Sequence, residues 1–159
     1  MSLSGRKWEI EKITIMFIGE YTHAVDDKKR MSLPSKFKKE LGGKVVVTRG
    51  LDNCLFLFSH KTWEAISKEM SKLGMMQADT RGFSRFMFAG ASEIDVDSMG
   101  RILVPEYLKE FAELKSSVVF AGVHDRIEIW NDKRWDAYKK KIEADAAGMA
   151  EKLGSIGIQ

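Results

Sequence analysis

Two five-residue stretches have the composition of a built contact point. Asp26-Asp27-Lys28-Lys29-Arg30 and Asp97-Ser98-Met99-Gly100-Arg101 both read Asp-x-x-x-Arg. An Asp at the head of a tight turn accepts backbone N–H bonds and holds the loop in one shape. An Arg at its end can pair with that Asp, or present a planar fork of donors to a phosphate or a base edge. Gly100 supplies a residue tolerant of positive φ in the second copy. A turn closed by its own Asp–Arg pair needs no ligand, so for Arg101 both readings stay open. The first copy has a different setting. Between Asp26 and Lys44, seven cations (Lys28, Lys29, Arg30, Lys36, Lys38, Lys39 and Lys44) stand against three carboxylates, a net +4. From Asp97 to Lys115, three cations stand against four carboxylates, a net −1. A basic loop followed by a basic helix is the electrostatic footprint of phosphate binding. The plainer alternative is a solvated, lysine-rich face.

Other reactive side chains offer less. His23, His60 and His124 show no metal-ligand spacing with one another or with Cys54. Cys54 falls where the second half of the chain has Arg126, so it reads as a partly buried thiol rather than a nucleophile. No P-loop, GxSxG or GxGxxG motif is present. Asp95 and Asp97 lie two apart on a strand and share a face, which could suit a cation or an acid–base pair. The first half has Ala24 where Asp95 stands, which favours a turn-capping Asp97 beside a solvated Asp95. No catalytic residue, metal or cofactor is expected, and no small-molecule substrate.

The two loops belong to a repeat. Val25 to Phe37 aligns with Val96 to Leu108, with valine, aspartate, arginine and proline coinciding. With a one-residue slip, Val46 to Leu51 faces Val118 to Val123. Leu55 to Phe58 then faces Ile127 to Trp130, and Trp63 faces Trp135. Each unit predicts a strand (19–25 or 93–96), the polar turn and a short strand (31–33 or 102–104). A helix follows with Pro34 or Pro105 in its first turn. Phe37 and Leu41, like Leu108 and Ala112, share one face of that helix. Gly42-Gly43 ends the first one. A hairpin comes next, with strands 44–48 and 54–58 or 118–121 and 126–130. A helix capped by Ser59 or Asn131 closes each unit. Units of about 50 residues are marginal alone, so the two are expected to share a core. Phe83, Phe86 and Met87 form an apolar stripe at helical spacing, expected to face that core, although the same stripe could serve a subunit contact.

The whole chain has 159 residues, a formal charge of +3 and one cysteine. One cysteine permits no internal disulfide and points to a reducing compartment. No run reaches the roughly 18 apolar residues of a membrane span, and no signal-peptide pattern opens the chain. A cytoplasmic, nucleoid-associated protein is expected, with no membrane partner.

From Met16 to about Tyr138 the chain resembles the MraZ family, whose members carry two motifs of the AbrB-like swapped-hairpin class. Asp97 to Pro105 is similar to the family's second signature, and Asp26 to Pro34 to its first. Arg85 to Ala91 and Arg126 to Trp130 fit beside them. Lys29 departs from the pattern, which usually has glycine there. The first turn is then either more open, or Lys29 adopts an unfavourable φ, or its charge serves phosphate contact. The resemblance implies an α+β, β-rich fold: two tandem swapped-hairpin β motifs, double-ψ-like, sharing one core with flanking helices. The expected division is an N-terminal extension or added segment (1–15), a first repeat (16–66), a helical connector (67–90), a second repeat (91–138) and a C-terminal helix and tail (139–159).

The resemblance also implies a homo-oligomeric ring that binds promoter DNA at short G-rich direct repeats. The promoter lies upstream of a division and cell-wall gene cluster, which the protein usually represses. Arg30 is then expected to read a base edge, and Lys28, Lys29 and Lys36 to hold phosphates, with Arg101 as a second-loop contact. Asp26, Asp97 and Gly100 are expected to structure the turns. Two alternatives remain. One is a ring-forming interaction protein whose basic loop docks an acidic protein. The other is an AbrB-like antitoxin or stationary-phase regulator.

Overall fold

The computed structural model describes residues 16–157. The expectation for residues 1–15 lies outside the described residues. Eight strands and five α-helices follow in order: β1 Phe17–Ala24, β2 Met31–Ser32, α1 Ser35–Leu41, β3 Lys44–Arg49, β4 Leu55–Ser59, α2 His60–Ser71, α3 Ala78–Ser84, β5 Ser92–Asp95, β6 Arg101–Ile102, α4 Glu106–Ala112, β7 Ser117–His124, β8 Arg126–Asn131 and α5 Asp132–Ser155. A π-helical turn, Arg85–Ala89, continues α3. Among the described residues no helix is long and apolar enough to cross a membrane.

The main sheet is antiparallel, in the order β1-β7-β8-β4-β3-β5. The order is the signature of interleaving. β3 and β4 form the first repeat's hairpin, and β7 and β8 the second's. The opening strand of each repeat then pairs with the hairpin of the other, β1 on β7 and β5 on β3. The hairpins meet at β4–β8, where Phe56 lies opposite Glu128 on the pseudo-twofold. The chain thus builds α+β, β-rich architecture from two swapped-hairpin motifs with one common sheet.

The four central strands are buried on both faces, which explains their nearly continuous apolar runs. In β4, Leu55 and Leu57 enter a core with Phe17, Met31, Phe120 and Ile129, beneath Phe37 and Leu41 of α1 and Leu108 of α4. Phe56 and Phe58 point the other way, into a second core with Met87, Val119 and Trp130, closed by Trp63 of α2 and Trp135 of α5.

The strand alignment requires one correction. In the register, Lys44 opposes Asp95 as Ser117 opposes Ala24, so Val45, not Val46, is the equivalent of Val118. Shifting a strand by one residue exchanges its faces, and Val45 and Val118 do share the first core. The extra residue lies in the hairpin turn. Gly50 N–H donates to Cys54 C=O at 2.8 Å around a three-residue tip, whereas Val123 pairs with Arg126 around two residues. Pro34 and Pro105 also sit one position earlier than expected, at the N-caps of α1 and α4. The connector stripe is only partly inward. Met87 is buried, but Phe83 remains 40% exposed and stacks on Phe86 at 6.2 Å. The closing helix α5 runs unbroken for 24 residues, twice the length of α2.

Candidate nucleic-acid interface

Each Asp-x-x-x-Arg stretch is a hairpin tip. In the first, Asp26 N–H donates to Arg30 C=O at 3.0 Å, and Lys29 N–H returns to Asp26 C=O at 2.9 Å. The second repeats this pattern with Asp97, Arg101 and Gly100 at 3.0 and 2.9 Å. Such a tip needs a left-handed residue at its fourth position to restart the strand. Gly100 holds φ +76°, and Lys29 holds +64°. The first turn is therefore not more open than the second: Lys29 takes the strained conformation instead.

The aspartates lock these tips. Asp26 Oδ1 accepts from the backbone N–H of Lys28 (2.9 Å) and Arg30 (2.8 Å), and Oδ2 accepts from Arg30 Nε at 2.9 Å. Asp97 makes the same three bonds, with Met99 (2.9 Å), Arg101 N–H (2.8 Å) and Arg101 Nε (2.8 Å). The Arg30 backbone N–H, followed by its guanidinium, holds the Asp26 carboxyl below the usual carboxylate range. The Arg101 backbone and guanidinium do the same for Asp97. Each carboxylate stays ionised and fixes its arginine by Nε alone. Among the described residues no protein group takes the Nη atoms of Arg30 or Arg101, so a two-donor edge stays available in a held orientation.

The fold links the two tips through a short ladder. The short strands β2 and β6 pair across the pseudo-twofold, with Met31 opposite Ile102 and Ser32 opposite Arg101. Leu33 N–H donates to Gly100 C=O at 2.9 Å, tying the first strand to the second tip. Arg30 therefore stands two ladder positions from Arg101, and the two tips leave the ladder at its opposite ends. Of the expected site residues, Asp26, Lys28, Lys29 and Arg30 belong to the first tip and Asp97, Gly100 and Arg101 to the second; Lys36 belongs to neither. It lies on α1 and lines a shallow groove with Met16, Ile18, Gly19 and Tyr21, beside the first half of β1. The two tips differ in charge: three cations against two carboxylates in the first, one against one in the second.

Lys38 emerges as a residue that the motif reading overlooked. It lies over the second tip, where its Nζ donates to Met99 C=O at 3.4 Å. A Cβ added at Gly100 would stand 2.3 Å from Lys38 Cε. The signal in the sequence was the run of lysines on α1. The swap that carries this helix to the other repeat's loop was not visible in it.

Reactive groups elsewhere are structurally occupied. Cys54 is buried, donates to Leu51 C=O at 3.2 Å, and its thiol pKa is pushed up by burial. Asp95 pairs loosely with Lys44 at 3.9 Å, apart from the Asp97 latch. His60 lies 3.5 Å from Glu64 and 3.7 Å from Glu93. Among the described residues no group of three or more His, Cys, Asp or Glu is placed to hold a metal.

A family model described as "MraZ protein, putative antitoxin-like" matches the chain twice, over residues 16–86 and 87–153. The chain is also similar to proteins named "Transcriptional regulator MraZ". That of Caldicellulosiruptor saccharolyticus is 46% identical over 143 residues, which is 90% of this chain and all of the relative. Those of Acetivibrio thermocellus and Moorella thermoacetica are each 44% identical over the same shares.

Proposed function

Because this chain belongs to the MraZ family, we propose that it is a sequence-specific DNA-binding transcription regulator. It acts as a repressor at short G-rich direct repeats upstream of a division and cell-wall gene cluster. The observation that carries the reading is the pair of arginines, Arg30 and Arg101, each latched by its own aspartate at a tip flanking the β2–β6 ladder, with only the first tip basic.

A guanine presents O6 and N7 in the major groove, and an arginine's paired N–H groups match them. Asp26 holds Nε of Arg30, leaving the terminal Nη1/Nη2 edge for that contact. The exposed Lys28 and Lys29 meet phosphates and set register. Arg101 supports the contact from the second tip. Lys36 lies on α1 beside β1 rather than on a tip, so the first phosphate contacts are assigned to the two loop lysines. One tip covers few base pairs. A homo-oligomeric ring displays several, and successive repeats are then bound with the gain of effective concentration. The protein works in the cytoplasm on the nucleoid, without cofactor or catalysis.

Binding of the purified protein to its own upstream promoter, against a scrambled duplex at several salt concentrations, tests this directly. Selective binding that Arg30→Ala abolishes is the expected result. Equal, steeply salt-dependent binding to both duplexes would reduce the loop to a non-specific basic surface. No binding to either would favour an acidic protein as the partner.

A further inference from the structure

Two surfaces at opposite ends of the sheet lack a partner within the chain. The first is the distal half of α5. Trp135 and Tyr138 pack on Trp130 of β8, and Lys139 reaches Glu20 of β1 at 2.8 Å. The helix thus crosses the sheet from β8 over β7 and leaves at the β1 edge. From Glu143 onward every described residue is exposed. A solvated helix would be polar all round, yet Ile142, Ala146, Met149, Leu153 and Ile156 fall at alternating spacings of four and three. That spacing is the seam of a helix that packs on another helical surface. Glu143 and Asp145 flank the seam.

The second surface lies over the β3–β4 half, between α2 and α3. Its walls are Met70, Leu73, Met75 and Phe88, with Arg81 and Arg85 at the rim. Arg81 is partly engaged by the carbonyls of Met75 and Met76 at 3.0 Å, while Arg85 has no ion-pair partner among the described residues. The groove is apolar with Arg81 and Arg85 beside it, and the distal helix from Glu143 to Ile156 carries three carboxylates against one lysine.

We infer that the distal half of α5 seats in the α2–α3 groove of a second copy of this chain, head to tail. The helix cannot serve its own groove. It is one unbroken helix of 24 residues, about 36 Å long, and it points off the β1 edge, whereas the groove lies toward the opposite edge. A donor at one end and an acceptor at the other generate a heterologous contact, which closes into a ring when the rotation allows. The inference rests on the homo-oligomer proposed above and names the surfaces that build it.

The test uses two full-length chains. One carries Met149→Asp with Leu153→Asp, and the other Leu73→Asp with Met75→Asp. These side chains are 43, 47, 54 and 74% exposed, so the fold does not depend on them. Size-exclusion chromatography with light scattering is expected to show the unaltered chain assembled beyond a dimer and each altered chain monomeric. An equimolar mixture of the two should give a 1:1 dimer and nothing larger, because one free helix meets one free groove. Arg85→Glu should weaken assembly severalfold, and adding Glu143→Arg with Asp145→Arg should restore part of it, a reversal that a misfolded chain cannot show. Altered chains that keep the native size would overturn the pairing. So would a mixture that stays monomeric, or a groove-altered chain that self-associates through its helices. A monomeric unaltered chain would remove the oligomer itself.

Discussion

Lys29 and Gly100 occupy the same position in two equivalent turns, with φ of +64° and +76°. Only one is free of the cost. An L-residue in the left-handed region sacrifices about 1–2 kcal/mol, and glycine recovers most of this. Lys29→Gly is therefore expected to raise stability by about 1 kcal/mol in urea denaturation. If Lys29 holds a phosphate, the same change should weaken binding to every duplex. A variant that is more stable and binds as tightly would leave the strain without a function. In the reverse direction, Gly100→Ala should cost roughly 1–2 kcal/mol, because it also displaces Lys38.

Arg30 and Lys28 should separate specificity from affinity. Arg30→Ala is expected to lose roughly 1–3 kcal/mol of discrimination between promoter and scrambled duplex. Lys28→Ala should weaken both duplexes about equally and reduce the slope of log K against log salt by about 1. Titration of both variants across a salt series reads the two effects. If Lys28→Ala altered selectivity and Arg30→Ala only affinity, the roles would have to be exchanged.

The Asp26 latch has a defined pH dependence. Its carboxyl is held below the ordinary carboxylate value in the fold, first by the Arg30 backbone N–H. A depressed folded pKa contributes stability that is present above the unfolded value and is lost as pH falls through the folded one. Selective DNA binding should therefore persist at pH 5 and fail only below the usual carboxylate range. Asp26→Asn removes the charge at every pH. It should release Arg30 Nε, seen as faster exchange of its N–H proton in NMR. An unchanged exchange rate would show that Asp26 does not hold the side chain.

Much of this arrangement was legible in the sequence because it is local. The Asp-x-x-x-Arg tips, the proline-led helices and the hairpin strand Leu55-Phe56-Leu57-Phe58 each follow from residue type and period. What was not legible depends on partners distant in the chain. Lys38 is one of several lysines on α1 until β2 pairs with β6 and carries Gly100 beneath it. Lys36 counts toward the same basic stretch, yet helical rotation turns it to β1. The Val45–Val118 equivalence was hidden because a run of three valines has no alternation to fix its face.

The swap itself makes the final prediction. Each repeat gives its opening strand to the other: β1 adds the outer strand to β7, and β5 to β3. A fragment of residues 16–90 would hold β1 without β7 and the β3 edge without β5. It would also expose Leu55, Leu57 and Met31, which are fully buried in the intact chain. Burying such a side chain is worth about 1.5–3 kcal/mol, so exposing these three costs roughly 4.5–9 kcal/mol, comparable with the roughly 5–15 kcal/mol that holds an ordinary domain together. Fragments 16–90 and 91–159 are therefore each expected to be unfolded by circular dichroism. Mixed at equal concentration, they should recover strand signal and a cooperative thermal transition, since all the sheet partners are then present. Phe120→Ala offers the same test within the intact chain. It lies in β7 of the second repeat but packs in the core shared with Phe17 and Leu57 of the first. Its cost of about 3–5 kcal/mol should appear as one lowered transition for the whole chain. Two separated transitions would mean that the repeats fold independently and that the interleaved sheet does not couple them.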